Sequence, residues 1–338
     1  MSGWNAARAI AVIRLKDQED VEYVRLCLLS QPLQHLMQVW ATTTVQATLN
    51  LKEIKQLPLP WPSKNERQRV VQIAGCLEAK IELNRRTNET LEAMARTLFR
   101  SWFVDFDPVR AKADGQTPPG LDAATAKLFP DSFEPSALGP IPKGWRVGSI
   151  YDVAEVVYGA PFASSQFNGD GLGKPLLRIR DLRSEQPDVF TTEVHPKGYC
   201  VKSGDIVVGM DGEFRAYLWG GEEAWLNQRV CVFKPRSGVS NVFVQNALHA
   251  PLAEVEATET ATTVIHLGKA DIDRFRVIIP PETVQKAFTC LAEPLAEAMV
   301  GNKRQSRILA ATRDALLPKL LSGEVQVGDA ERVAEGVA

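Results

Sequence analysis

The chain has 338 residues, of which 45% are hydrophobic and 24% charged, with a formal net charge of −2. That length exceeds one ordinary domain, and that composition excludes a disordered chain. The near-neutral total excludes a uniformly basic nucleic-acid binder, although local basic patches can sit inside it.

At the N-terminus, MSGWNAARAIAVIRLK has too short an apolar run for a signal peptide, and no later run reaches the length of a membrane span. A cytoplasmic protein without membrane association is expected. Residues 1–62 end in the proline-rich LPLPWP and are too few to bury a sizeable sheet.

Residues 64–104 carry no proline and one glycine. Apolar or small residues recur there with 4,3 spacing: Val70, Ala74, Leu77, Ile81, then Asn84 and Asn88, then Leu91, Ala95, Leu98 and Trp102. That is a heptad seam with a polar middle, and it predicts a first long helix within 63–107. Residues 108–143 form a proline-rich connector that holds turns but no long element.

Residues 144–281 read as one globular unit. Short β-type runs at Val153–Tyr158, Pro175–Arg180, Asp205–Met210, Arg229–Lys234 and Val277–Ile279 alternate with Gly, Asp and Ser clusters. Val242–Leu252 and Lys269–Asp273 are the best helix candidates. The pattern predicts a mixed α/β unit with a short curved sheet. A second long helix follows at 282–323, with Phe288, Ala292, Leu295, Met299, Asn302, Ser306, Leu309, Leu316 and Leu320 on its seam and Arg313 as the exception. Each helix would be roughly 60 Å long, with a bend or restart expected near Gly75 and Pro294. Residues 324–338 read as a flexible tail.

An internal repeat links these pieces. A shift of 218 residues carries Asn84-Arg85-Arg86 onto Asn302-Lys303-Arg304, and Leu77, Leu91 and Leu98 onto Leu295, Leu309 and Leu316. It also carries Leu49, Ile54 and Pro62 onto Leu267, Ile272 and Pro280. Residues 144–322 make one complete copy, whereas 1–62 match only about 219–280. The overall class is therefore α+β, with two long helices expected to pair antiparallel through Leu77, Ile81, Asn84, Leu91, Leu98, Leu295, Met299, Asn302, Leu309 and Leu316. On that arrangement Asn84 and Asn302 lie close together near a pseudo-two-fold axis; the alternative is a pair of asparagines facing a partner surface.

Catalytic patterns are missing. There is no phosphate-binding G-x-x-x-x-G-K-[ST], no adenine-methyltransferase Asn/Asp-Pro-Pro-aromatic and no metal-ligand spacing among His35, His195, His249 and His266. GDGLG at 169–173 reads as a turn. Asp205 reads as a turn entering a strand, not as a carboxylate paired with Asp211 for catalysis. Cys27, Cys76, Cys200, Cys231 and Cys290 form no C-x-x-C; four of the five sit among apolar residues and are expected as buried core residues in a reducing compartment. No enzyme activity, cofactor or metal is expected.

What remains is suited to reading DNA. In LLRIRDLR, alternation would put Arg178 and Arg180 on one face of a strand, with Arg183 nearby. Arg215 and Tyr217 lie in a glycine-flanked loop, and Asn227, Gln228 and Arg229 precede an apolar strand. Tyr158 and the loop GAPFASSQFNG offer aromatic and hydroxyl groups. Arginine bidentate to guanine and Asn or Gln to adenine are the favoured readers. The competing assignment is surface ion pairing of the arginines, for example with Asp181 or Glu213.

Segments carrying these features resemble the specificity (S) subunit of type I restriction-modification enzymes over nearly the whole chain. They are the stretch from LNLKEIKQLPLPWP to LFRSWFVDFDPV, SALGPIPKGWRVGSIYDVAEVVYGAPF, SGDIVVGMDGEFRAYLWGGEEAWLNQRVCVF and the second helix ending in LLPKLLSGEV. The resemblance implies target recognition domains that each read half of a bipartite double-stranded DNA site. It implies that the long helices set the spacing of the half-sites and dock two modification (M) subunits holding the methyltransferase. Restriction (R) subunits would join through the complex. Residues 1–62 resemble only the end of a first recognition domain: the strand IAVIRL, a short helix and the approach to the proline turn. A late start, a truncated gene or self-association supplying the remainder would each account for this. An alternative to DNA reading is a remnant acting only as a protein-interaction module for the methyltransferase subunit.

Overall fold

A computed structural model describes residues 10–41, 48–258 and 266–337. The helices in chain order are α1 (Val21–Leu29), α2 (Gln31–Trp40), α3 (Leu51–Ile54), α4 (Lys64–Phe103), α5 (Asp107–Ala113), α6 (Ala123–Lys127), α7 (Ile150–Val153), α8 (Asn241–Ala247), α9 (His249–Thr258), α10 (Lys269–Ile272), α11 (Glu282–Ser322) and α12 (Val327–Val337). The strands are β1 (Phe133–Glu134), β2 (Ile141–Pro142), β3 (Arg146–Ser149), β4 (Ala154–Tyr158), β5 (Phe167–Asn168), β6 (Lys174–Leu177), β7 (Phe190–Thr191), β8 (Cys200–Val201), β9 (Ile206–Gly209), β10 (Ala216–Leu218), β11 (Ala224–Leu226), β12 (Val230–Pro235) and β13 (Arg276–Ile279). The repeat is visible in the helix order. The run α1, α2, α3, α4 recurs as α8, α9, α10, α11, and α3 and α10 start 218 residues apart, as do α4 and α11.

The chain divides into two compact units, residues 1–85 with 305–338, and residues 86–304. The division passes through both long helices, so each helix contributes to each unit.

In the first unit, Val70, Ile73, Ala74 and Leu77 of α4 recur at 3–4 spacing and meet Tyr23, Leu26 and Cys27 of α1. Leu309, Leu317, Leu320 and Leu321 of α11 and Ala330 and Ala334 of α12 complete that core. Burial of each such leucine contributes roughly 1.5–3 kcal/mol. The pair Arg67–Asp20 is buried within it at 2.8 Å, with Arg67 also donating to the Pro62 carbonyl at 2.7 Å and lying over the Trp61 ring. This pair closes the proline turn onto the start of α1. The segment Ile10–Leu15 is not a strand, contrary to expectation. A strand exists only by hydrogen bonding to another, and no strand occurs among the described residues of this unit. Ile10, Val12 and Ile13 are correspondingly exposed.

The second unit holds all the strands found among the described residues. β10, β9, β12 and β4 form an antiparallel sheet in that order. Its apolar runs are near-continuous because both faces are covered. Cys231 and Phe233 of β12, with Ile206 and Val208 of β9, face α8 and the long helices. Val230, Val232 and Val207 face the other way, against Leu177, Leu226 and Trp219. That second layer is the sheet β5-β7-β6-β11-β8, in which β6 and β11 are parallel. β13 pairs with β3, and β1 with β2. An aromatic cluster of Phe99, Trp102 and Phe103 on α4, Phe243 on α8 and Phe288 on α11 joins these three helices, with ring centroids 4.9–6.3 Å apart.

Within each unit α4 and α11 run antiparallel. In the first, Asn84 donates to Gln305 Oε1 at 2.9 Å and Ser306 Oγ at 3.3 Å, while Glu78 faces Arg313. In the second, Asn302 donates to Asn88 Oδ1 at 2.9 Å and Asn88 to the Met299 carbonyl at 3.1 Å, while Trp102 and Phe103 reach Phe288. Asn84 with Ser306 and Asn302 with Asn88 are one contact in two copies. Leu77, Ile81, Leu309 and Leu316 pack in the first unit's core, and Leu91, Leu98, Leu295 and Met299 in the second's.

Of the bend or restart expected near Gly75 and Pro294, the restart does not occur, since α4 and α11 each run through. Three further expectations are corrected. Residues 324–338 are not a flexible tail, because α12 buries Ala330 and Ala334 in the first unit's core. Only Cys27 and Cys231 are buried. Cys200 is half-buried, and Cys76 and Cys290 are exposed because each lies off the seam that its helix buries. Val242–Leu252 is two helices, since Leu248 caps α8 before α9 begins. No helix among the described residues is long and apolar enough to cross a membrane.

Candidate nucleic-acid interface

The expected reader residues lie on three connections of the second unit. The first leaves β6. Arg178 and Arg180 do not share a strand face, because β6 ends at Leu177 and Ile179–Asp181 turns as a 3-10 helix. The cause is Asp181, whose carboxylate accepts the Arg178 backbone N–H at 2.9 Å and folds the chain back. The Arg178 guanidinium is taken up internally, 3.2 Å from the buried Asp181 and in contact with Asp188. Only 16% of its side chain is exposed. Arg178 therefore holds the turn together, whereas Arg180 and Arg183 are exposed on it.

The second connection follows β9. Arg215 pairs with Glu213, both well exposed, so water screens the pair and leaves it weak. Tyr217 on β10 is half-buried. Burial pushes its phenol up, and the nearby Arg215 and Arg183 charges oppose that shift. These two arginines and one aromatic face thus occupy one neighbourhood.

The third connection joins β11 to β12. Asn227 is buried, and its backbone N–H donates to Leu177 O while its carbonyl accepts from Val230. Its side chain accepts from the Arg229 N–H at 3.4 Å, so it shapes the turn and leaves Gln228 exposed at the tip. Gly159 is required beside this turn, since a Cβ there would overlap the Asn227 carbonyl. Arg229 lies 3.3 Å from Asp211, which also holds His266 at 2.7 Å. Local sequence carries no signal for this three-residue cluster, because Asp211 and Arg229 come together only when β9 and β12 pair, and His266 only through its bridge to Asp211.

Tyr158 departs from expectation. Its hydroxyl is buried beside that of Tyr151 without a normal hydrogen bond, and burial pushes it up. Tyr151 itself donates to Asp273 at 2.7 Å. Alternation along β4 pairs Tyr158 with Cys231 and turns it toward the core, so its hydroxyl is withdrawn from the surface. Phe162, in the loop GAPFASSQFNG, is likewise buried between Trp225 and His195. GDGLG is an exposed turn with Gly171 and Gly173 at positive φ. Asp205 accepts from Tyr199 at 2.9 Å and from the Lys202 N–H at 2.8 Å, fixing the entry to β9. Among the described residues no group of His, Cys, Asp and Glu is placed to hold a metal ion.

Residues 142–289, which include both layered sheets, match the family model of the type I restriction modification DNA specificity domain. The chain is 27% identical over 285 residues to the type I restriction enzyme MjaIX specificity subunit of Methanocaldococcus jannaschii, covering 81% of this chain and 62% of that relative. It is 27% identical over 333 residues to the HindI specificity subunit of Haemophilus influenzae, covering 82% of this chain and 71% of that one. A crystal structure of the type I restriction-modification system S subunit from M. genitalium aligns with 89% of this chain and 72% of its own, at 15% identity and a TM-score of 0.48. The chain thus spans less than the whole length of each of these proteins. Residues 142–289 thus carry a type I restriction modification DNA specificity domain, and the chain is similar over about four fifths of its length to specificity subunits of type I restriction enzymes.

Proposed function

We propose that this chain is a non-catalytic DNA specificity subunit whose residues 144–281 read one half of a bipartite double-stranded site. The observation that carries the reading is the specificity-domain match over 142–289, falling on the unit that exposes Arg180, Arg183, Arg215, Gln228 and Arg229 from three neighbouring connections. Guanidinium groups on loops can reach base edges in the major groove, and Gln228 has the donor and acceptor that adenine requires. Weakly paired arginines are available to phosphates as well, which gives affinity that falls with salt. Arg178, Asn227 and Tyr158 serve this surface from inside.

In the same reading α4 and α11 set half-site spacing and dock two methyltransferase subunits, with restriction subunits joining through the complex. Leu83, Met94, Leu291 and Ile308 support it, because each is 46–55% exposed on a long helix where an apolar side chain gains from being covered. The test is selection from a randomised duplex pool at fixed salt, with the chain alone and with its methyltransferase subunit. Enrichment of one defined half-site is expected, weakened by Gln228→Ala and Arg180→Ala. Absence of enrichment in both preparations refutes the reading. Capture of the methyltransferase subunit without sequence selection establishes instead the interaction-module alternative, which the lack of any strand among the described residues of the first unit favours.

A further inference from the structure

Lys303 follows Asn302 on α11, and its ammonium is held by two partners where a helix-surface lysine usually extends into solvent. Nζ lies 2.5 Å from Glu185 Oε1 and 2.7 Å from the Leu218 carbonyl. The two side chains are only 28% and 13% exposed. Glu185 sits in the left-handed region at φ 56, a conformation that a non-glycine residue holds only when its surroundings impose it. Its N–H donates to Asp181 O at 2.8 Å, closing the turn that carries Arg180 and Arg183. Leu218 ends β10, the strand of Tyr217, just after Arg215. One ammonium therefore ties two of the three reader-bearing connections to α11. Gly220 leaves the path for it, since a Cβ there would overlap the Lys303 stem and meet Glu185. The repeat places Arg85 at the equivalent position of α4, where it pairs with Glu82 on its own helix.

We propose that Lys303 is a positioning residue for DNA reading. It holds the Arg180–Arg183 turn and the Tyr217 edge at a set placement on α11, so that base preference depends on a helix residue that touches no DNA. The proposal rests on the reading of residues 144–281 as the DNA-reading domain.

The test uses the full chain carrying Lys303→Met, Glu185→Gln, Gly220→Ala, or the exchanged pair Lys303→Glu with Glu185→Lys. Amide hydrogen exchange and selection from a randomised duplex pool are measured for each. Lys303→Met is expected to speed exchange over residues 179–188 and 216–219 about tenfold while β9 and β12 keep their protection. Base preference at the selected positions should fall about fivefold. Glu185→Gln, which keeps shape and removes one charge, should move both readouts in the same direction, and the exchanged pair should recover part of each. Unchanged exchange in Lys303→Met and Glu185→Gln overturns the positioning role whatever the DNA result. Faster exchange with unaltered base preference overturns its link to reading. If the unmodified chain selects no sequence, the DNA reading falls, and exchange alone still decides whether Lys303 holds the turn.

Discussion

Replacing Arg178 by methionine separates a reader from a scaffold. The side chain keeps its length and apolar stem but loses the guanidinium that neutralises Asp181. Asp181 is 4% exposed, so its carboxylate would stay buried with the Arg178 backbone N–H as its remaining donor. Removing one partner of a buried pair costs about 3–5 kcal/mol. The surviving backbone bond and the 72% exposure of Asp188 place this case near the lower end, at about 3 kcal/mol. For a unit of this size that corresponds to a fall in Tm of roughly 6–12 °C. Asp188→Asn, at the exposed end, should cost under about 1 kcal/mol. Calorimetry of the full chain reads both. A scaffold role predicts the large shift in Arg178→Met and little change in Arg180→Ala. An unchanged melt in Arg178→Met, combined with altered base preference, would refute the reasoning and return Arg178 to the reading surface.

Glu293 on α11 is held above the ordinary carboxylate range by burial and by the Glu297 charge one turn away, against an N–H from Asn241. A raised folded value means that the proton is bound more tightly in the fold, so this contribution to stability is complete below about 4.5 and lost as pH rises through the folded value. Glu293→Gln should raise Tm at pH 7 by about 1–2 °C, an advantage that shrinks on acidification; a gain that is the same at both pH values contradicts it. Complete burial pushes the Cys231 thiol up to about 12, and burial also raises Cys27. A thiol reagent should therefore modify Cys76 and Cys290 quickly and reach Cys231 only on unfolding, and rapid Cys231 labelling in the folded chain would sink this. Gly159→Ala should cost about 1–3 kcal/mol, read as a lower urea midpoint, because the added methyl meets the Asn227 carbonyl; an unmoved midpoint would show that the turn yields freely.

Much of the architecture was legible in the order of residues alone. The 4,3 spacing from Val70 to Trp102 and from Phe288 to Leu320 specifies helices whose buried seam is a property of local periodicity, and α4 and α11 follow it. The apolar runs at 206–209 and 230–233 mark strands covered on both faces, and the repeat ordered the helices. Local pattern also suggested that Ile10–Leu15 forms a strand and that Arg178 faces out with Arg180. The first lacked a partner that the pattern does not contain, whereas the second gave way to the competing pairing with Asp181 that the sequence also offered. Strand pairing needs a second strand, and the outward face of Arg178 was cancelled by Asp181 and Asp188 folding back on it. The same holds for the cysteines, whose apolar neighbours did not reveal which side of a helix was covered.

Sequence by itself thus determined helices, core strands and their repetition, because these rest on spacing within short stretches. Which polar residues are spent inside and which remain for a partner was decided only by the tertiary structure. The ties of Lys303 to Glu185, Arg229 to Asp211 and Tyr151 to Asp273 join residues 18 to 122 positions apart. Long-range pairing of charges and hydroxyls is selected by the packed fold, and no local periodicity records it.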